Sequence, residues 1–171
     1  MAIKNEIALM LEQSRGTAVS GQELADRLGV SRAAVWKAVK QLQDEGYSIS
    51  AGTNRGYMLE SGSDVLTAEG IRLHLTEKYR GIPVEVFRSA SSTNTEAKAA
   101  ALRGMPHGTL IAANEQTAGR GRFGKPFYSP ANTGLYMSVL LNPQKPLSDC
   151  MGITMAAACA IIDSLESVCG V

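Results

Sequence analysis

An α+β chain in two modules is the fold class this sequence predicts, and three observations predict it. Residues 3–46 carry three stripes of apolar side chains at helical spacing, each bounded by capping or terminating residues. Beyond Pro83, apolar runs of strand length alternate with helical stretches, so strands and helices share a core. Between these regions ESGSD, residues 60–64, is small and polar and suits an exposed connection. The expected layout is a first domain over 1–60, a linker over 61–66 and a second domain over 67–171.

In the first module, Ile3 to Leu11 forms helix one, closed by Ser14, Arg15 and Gly16. Ser20 and Glu23 form a capping box for a second helix that buries Leu24, Ala25 and Leu28 and ends at Gly29. Ser31 caps a third helix whose Val35, Val39 and Leu42 share one face, with Gly46 as terminator. Two short helices around a tight Gly-containing turn make a helix-turn-helix. Tyr47–Ser50 and Tyr57–Leu59 then read as strands of a hairpin around AGTNRG, with Arg55 at its tip. Helices followed by such a hairpin make a winged helix-turn-helix.

The net charge of +1 supplies no global attraction to nucleic acid, so any affinity has to be local. The third helix provides it. Arg32, Trp36, Lys37, Lys40 and Gln43 lie opposite its apolar face, and no acid occurs from Ser31 through Gln43. Ser31, Arg32, Trp36, Lys37, Lys40 and Arg55 are therefore the candidate DNA-binding residues. Trp36 either contacts the duplex or packs against the wing. A winged helix that binds only protein, its lysines a solvated face, is the alternative use.

In the second module, Thr67 caps a short helix containing Ile71, Leu73, Leu75 and Tyr79, with His74 a surface or packing residue. VEVF (84–87) is a strand, and Thr93, Asn94 or Thr95 begins an alanine-rich helix that Gly104 stops. TLIAAN (109–114) is a second strand; GLYMSVLL (134–141) is a third, apolar enough to be central. Ser148 opens a last helix, apolar around most of its circumference and so expected to be buried. The N-terminus has no leader pattern and no apolar stretch approaches membrane-spanning length, which predicts a cytoplasmic protein with no membrane partner. Cys150, Cys159 and Cys169 lack metal-ligand spacing and are expected to be buried thiols. His107 reads as a turn residue, and no metal site is expected.

TAGRGRFGKPFYSP (117–130) matches G-x-G-x-x-G at Gly119, Gly121 and Gly124. A dinucleotide fingerprint needs a helix directly after its glycines, and Pro126 and Pro130 obstruct one. What remains is a flexible loop between strands, with Arg120, Arg122 and Lys125 among glycines that permit close backbone approach. Guanidinium groups fork onto carboxylate or phosphate, consecutive amides make a donor nest, and Phe127 offers a face to a nucleobase. The same spacing also fits a mobile basic loop without a ligand.

The succession SSTN (91–94), EQTAGRGRFG (115–124), FYSP (127–130) and GLYMS (134–138) resembles the biotin protein ligase family. With a winged helix ahead of it, the chain is similar to bifunctional members that also repress biotin genes. The resemblance implies ATP-dependent formation of biotinyl-5'-adenylate with magnesium and transfer of biotin to a lysine of a carboxyl-carrier protein. It also implies a duplex operator as partner and a homodimer of the full-length parent.

By that resemblance Ser92, Thr93, Asn94, Gln116, Gly119, Arg120 and Gly121 face biotin. Arg122, Gly124 and Phe127 face ATP, while Arg120 and Arg122 serve catalysis by stabilising charge on carboxylate and phosphorus. Tyr136 and Ser138 belong to the strand and pocket wall. Phe127 stands where the family commonly has tryptophan, and Lys125 and Pro126 replace a more basic pattern. The family's K-W-P-N-D stretch does not occur, so the chain is expected to be the N-terminal half of a ligase, catalytically impaired, with GLYMSVLL and the last helix exposed. A regulator that senses a metabolite without catalysis, or an inactive remnant, is the alternative.

Overall fold

Eight side chains at 2 % exposure or less hold the first module together: Ile7, Ala8, Leu11, Leu24, Val35, Val39, Leu42 and Leu59. They come from helices α1 (Ile3–Gln13), α2 (Gly21–Leu28) and α3 (Arg32–Asp44) and from the hairpin β1 (Ile49–Gly52) and β2 (Gly56–Leu59). The computed structural model describes residues 3–52, 55–144 and 146–170. Ser20 Oγ accepts the Glu23 amide at 2.9 Å and Ser31 Oγ accepts the Ala34 amide at 3.2 Å, so both predicted caps form. The capping box is only half made, because the Glu23 carboxylate faces Arg27 at 3.7 Å.

β1 starts two residues later than expected. The Tyr47 amide donates to the Leu42 carbonyl at 3.0 Å and is spent on the end of α3. Tyr47 packs inward at 6 % exposure; burial raises its hydroxyl pKa, and the nearby carboxylates of Glu69, Glu12 and Glu45 add to that against a Thr67 hydrogen bond. The wing gains a third partner at Val19, which exchanges both backbone bonds with Tyr57 at 2.8 Å. Gly56 sits at φ 79, and a Cβ there would lie 2.3 Å from the Val19 carbonyl oxygen, so this corner admits only glycine. Arg55 is exposed beside it, and the hairpin residues Thr53 and Asn54 lie outside the described residues.

The connection at 60–64 is exposed at Ser61, Gly62 and Asp64, as its composition suggests, but its backbone is held in place. Arg15 Nη1 donates to the Ser63 carbonyl at 2.7 Å and reaches those of Glu60 and Ser61 at 3.4 Å. Its other nitrogen pairs at 2.7 Å with Glu12, whose side chain is 5 % exposed. Ser63, itself 7 % exposed, accepts the Ser48 amide at 3.1 Å. A guanidinium with five donors can hold a carboxylate and several carbonyls together, and this staples the segment onto the first module.

α4 (Ala68–His74) follows Thr67, whose Oγ1 accepts the Gly70 amide at 3.1 Å, and packs on both α1 and β3 (Val84–Phe87). It stops before Tyr79, which belongs to a separate 3-10 turn at Glu77–Tyr79 and is exposed. α5 (Thr93–Leu102) crosses from β3 to β4 (Leu110–Ala113), its parallel neighbour, and β5 (Tyr136–Val139) pairs antiparallel on the other flank of β4. All four β4 residues are buried, so β4 and not GLYMSVLL is the central strand. β5 alternates instead, with Leu135, Met137, Val139 and Leu141 each more than 40 % exposed.

The last helix also departs from expectation. Leu147–Cys150 is a 3-10 turn, and α6 begins only at Ile153 and runs to Cys169 with no buried residue. Apolar composition predicts burial only where something packs on it, and here Met155, Ile161 and Val168 face solvent, as the resemblance implied for this helix. Cys159 and Cys169 are exposed and Cys150 only partly covered, which corrects the reading of buried thiols. Ser148–Cys169, 22 residues with mean hydropathy 1.4, is long and apolar enough to cross a membrane by length and composition. The acids Asp149, Asp163 and Glu166 interrupt that run in the sequence and mask it.

Arg15→Ala should lower unfolding stability by about 1–3 kcal/mol, since it leaves the buried Glu12 carboxylate without its cation. Urea denaturation measures this; an unchanged midpoint would mean that Arg15 does not hold the connection.

Candidate functional site

Two surfaces gather the candidate residues. On α3, Ser31, Arg32, Trp36, Lys37 and Lys40 are all exposed, and Arg55 is exposed on the wing. Trp36 is 61 % exposed, so its ring stands in solvent rather than beneath the hairpin. Lys40 lies 4.0 Å from Asp44, the first acid after the acid-free stretch. Gln43 is not part of this surface: its Nε2 donates to the Ile49 carbonyl at 2.7 Å and ties α3 to β1.

The second surface lies beyond the carboxyl ends of the parallel strands β3 and β4, where open α/β sheets form their crevices. The segments leaving the two strands run side by side. Thr117 N donates to the Ala90 carbonyl at 2.9 Å and Ala118 N to that of Ser91 at 2.8 Å. This brings the start of α5 against Gln116. Ser92 and Thr93 are 2 % and 4 % exposed, while Asn94 is exposed. Thr93 N and Oγ1 both donate to Gln116 Oε1, at 2.8 and 3.2 Å, and Gln116 Nε2 donates to Ser129 Oγ at 3.0 Å. Ser138 Oγ, from β5, lies 2.9 Å from Thr93 Oγ1 and 3.0 Å from Asn94 Oδ1.

Ser129 is buried in this network, but in the sequence it is one serine between Tyr128 and Pro130 and carries no signal of its role. The resemblance assigned Ser138 to the strand and pocket wall, and it is a half-buried position of β5.

The basic loop is an irregular hairpin rather than an open flexible segment. Gln116 bridges Ser129, Arg120 bridges Pro126, Phe127 N donates to the Gly119 carbonyl at 2.9 Å and Gly121 N to that of Lys125 at 2.8 Å. No α-helix follows the glycines; the tip is a three-residue 3-10 turn, Arg122–Gly124, where Phe123 holds φ 57. Gly119 turns to the loop's own return arm and not to open space for a ligand: a Cβ there would lie 2.4 Å from the Phe127 carbonyl oxygen and 2.7 Å from Ser129 Oγ. Gly121 is 3.3 Å from the Lys125 carbonyl by the same measure, and only Gly124 faces open space.

The loop's charges remain available. Arg120, Arg122, Lys125 and Phe127 are exposed, and among the described residues none of the three cations pairs with an acid. The Arg122 guanidinium stands over the Phe123 ring at 5.5 Å. A cleft of 370 Å³ between α5 and β5 brings Arg120 to Asn94, Lys98 and Ser138. A second, of 550 Å³, lies between the loop arms, lined by Gln116, Gly119, Phe127 and Ser129. Among the described residues no three His, Cys, Asp or Glu side chains gather as a metal site, and His107 accepts the Asn142 amide at 3.0 Å as part of a turn.

Gly119→Ala should pry the two arms apart. Limited trypsin digestion is expected to cut at Arg120 and Arg122 several times faster than in the unaltered protein; an equal rate would refute the packing assigned to this glycine.

Residues 4–58 match the HTH domain family and residues 86–169 match the biotin/lipoate A/B protein ligase family. The chain is 34 % identical over 169 residues to the bifunctional ligase/repressor BirA of Bacillus subtilis, covering 99 % of this chain and 52 % of that protein. It is 28 % identical over 149 residues to the proteins of the same name from Escherichia coli and Salmonella typhimurium, covering 87 % of this chain and 45 % of each. The chain thus spans about half the length of the curated relatives it matches. The two matches fall in order along the chain, an HTH domain over residues 4–58 and a biotin/lipoate A/B protein ligase segment over residues 86–169, and nearly the whole chain is similar to those relatives.

Proposed function

We propose that this chain carries the operator-binding domain and the biotin- and nucleotide-facing loops of a biotin protein ligase that also acts as a biotin-responsive repressor. The observation that carries this reading is the meeting of Ser92, Thr93 and Gln116 at one crevice, roofed by a hairpin whose Arg120 and Arg122 are exposed and unpaired with acids among the described residues. Ser92, Thr93, Asn94, Gln116, Gly119, Arg120 and Gly121 would form the biotin side. Arg122, Gly124 and Phe127 would take ATP, the ring stacking on adenine and the guanidinium meeting phosphate.

Biotin's carboxylate attacks the α-phosphorus of ATP, and pyrophosphate leaves. Arg120 and Arg122 would stabilise the charge that gathers on the attacking carboxylate and the phosphoryl oxygens. Magnesium would arrive with the triphosphate, since no protein cage for it exists among the described residues. The acceptor would be a lysine of a carboxyl-carrier protein, and the working form a homodimer in the cytoplasm. Around the crevice Asn94, Arg120, Arg122 and Phe127 are exposed, and an adenylate there would be open to water. Adenylate formation by these 171 residues alone should therefore be weak or absent.

Calorimetry with biotin and ATP, followed by mass spectrometry for adenylate, tests this. Biotin uptake with little adenylate is expected; efficient adenylate synthesis would refute the impairment, and uptake of neither ligand would refute the ligand assignment.

On the DNA side, exposed Arg32 and Lys37 would meet backbone phosphates while Trp36 and Arg55 reach the groove or its edge. Arg32→Ala with Lys37→Ala should weaken operator binding and lower the slope of log affinity against log salt by about 2. An unchanged slope in a salt titration would favour the alternative use of this helix, as a surface for protein.

A further inference from the structure

We propose that Ser129 and Ser138 are positioning residues that fix the side-chain amide of Gln116 through a one-way chain of hydrogen bonds. The direction follows from donors and acceptors alone. A backbone amide only donates, so the Gln116 atom 2.8 Å from Thr93 N is the carbonyl oxygen Oε1. The amide nitrogen therefore points the other way and donates to Ser129 Oγ at 3.0 Å. Ser129 spends its own proton on the Phe127 carbonyl at 3.1 Å. On the near side Thr93 Oγ1 donates to Oε1 at 3.2 Å; Ser138 Oγ has a single proton, for which Thr93 Oγ1 at 2.9 Å and Asn94 Oδ1 at 3.0 Å compete, and the shorter contact completes the chain.

Along the path from Ser138 through Thr93, Gln116 and Ser129 to Phe127, the protons point from β5 toward the return arm of the basic loop. Two consequences follow for the crevice. Both lone pairs of Gln116 Oε1 are occupied, and one Nε2 proton is left uncommitted, so this side chain meets a ligand as a donor. The same chain ends on the backbone of Phe127, so the amide's orientation and the loop's return arm are held together. Gly119 seals the arrangement: a Cβ there would stand 2.4 Å from the Phe127 oxygen, 2.7 Å from Ser129 Oγ and 3.3 Å from Gln116 Nε2, three consecutive members of the chain. Neither serine needs to touch the ligand to act, which distinguishes them from Thr93 and Gln116.

This deepens the ligase reading and rests on it only for the identity of the ligand. The test uses the full chain, labelled with nitrogen-15, as Ser129→Ala, Ser138→Ala and Ser138→Thr. Exchange of the Gln116 side-chain amide protons with solvent is expected to be roughly tenfold faster in both alanine variants and restored in Ser138→Thr, which keeps the hydroxyl on a strand position. Biotin affinity should fall by roughly tenfold in the same two variants and recover in Ser138→Thr. Unchanged exchange in both alanine variants overturns the proposal, as does a Ser138→Thr variant that exchanges as fast as Ser138→Ala. If the unaltered chain takes up no biotin, the ligand assignment fails and the exchange measurement alone decides the chain of hydrogen bonds. If Ser129→Ala does not fold, Ser129→Cys, close in volume and a poorer hydrogen-bonding partner, is expected to shift exchange in the same direction, and no shift overturns the proposal.

Discussion

Parallel neighbouring strands cannot be joined by a tight turn, and that constraint places everything chemical in the second module. The chain must leave β3, travel back as α5 and re-enter as β4, so both strands discharge their following segments at the same end. Ala90, Ser91, Thr117 and Ala118 exploit this by pairing backbone to backbone, the beginnings of a ladder past the last strand residues. Once those segments are clasped, the first turn of α5 has Gln116 as its neighbour, and a glutamine that both accepts and donates links helix, strand and loop. Side chains 23 positions apart in the chain then behave as a single polar unit.

How much of this was legible depends on how far each cause reaches along the chain. Ser20, Ser31 and Thr67 act within one helical turn, and each caps as its sequence context indicates. The winged helix and the two loops on one crevice follow from local patterning and from motif order. Tyr47 and Gln43 escaped because their partners, Leu42 and Ile49, belong to a neighbouring element met only in the folded state. Gly119 looked like an accommodation to a ligand and is an accommodation to Phe127 and Ser129. α6 was misjudged for a more general reason: apolar composition states what a helix can cover, not what covers it.

The two modules carry opposite kinds of order. The first has a continuous apolar core and uses polar bonds at its margins, with Arg15 and Glu12 at the exit. The second has a small core of Ala97, Ala100 and Ile111 flanked by Phe87 and Met105, and much of its definition comes from hydrogen bonds around the crevice. A site held that way keeps its geometry only as long as these bonds persist, and no buried side-chain nitrogen or oxygen among the described residues lacks a partner.

Trp36 is the only tryptophan in the sequence, and it stands in water on α3. An indole already hydrated in the native state changes its surroundings little on denaturation, so emission colour is a poor gauge of folding for this molecule. The same placement makes it a natural optical beacon for whatever settles on that helix, with light from a single fluorophore and no label to attach.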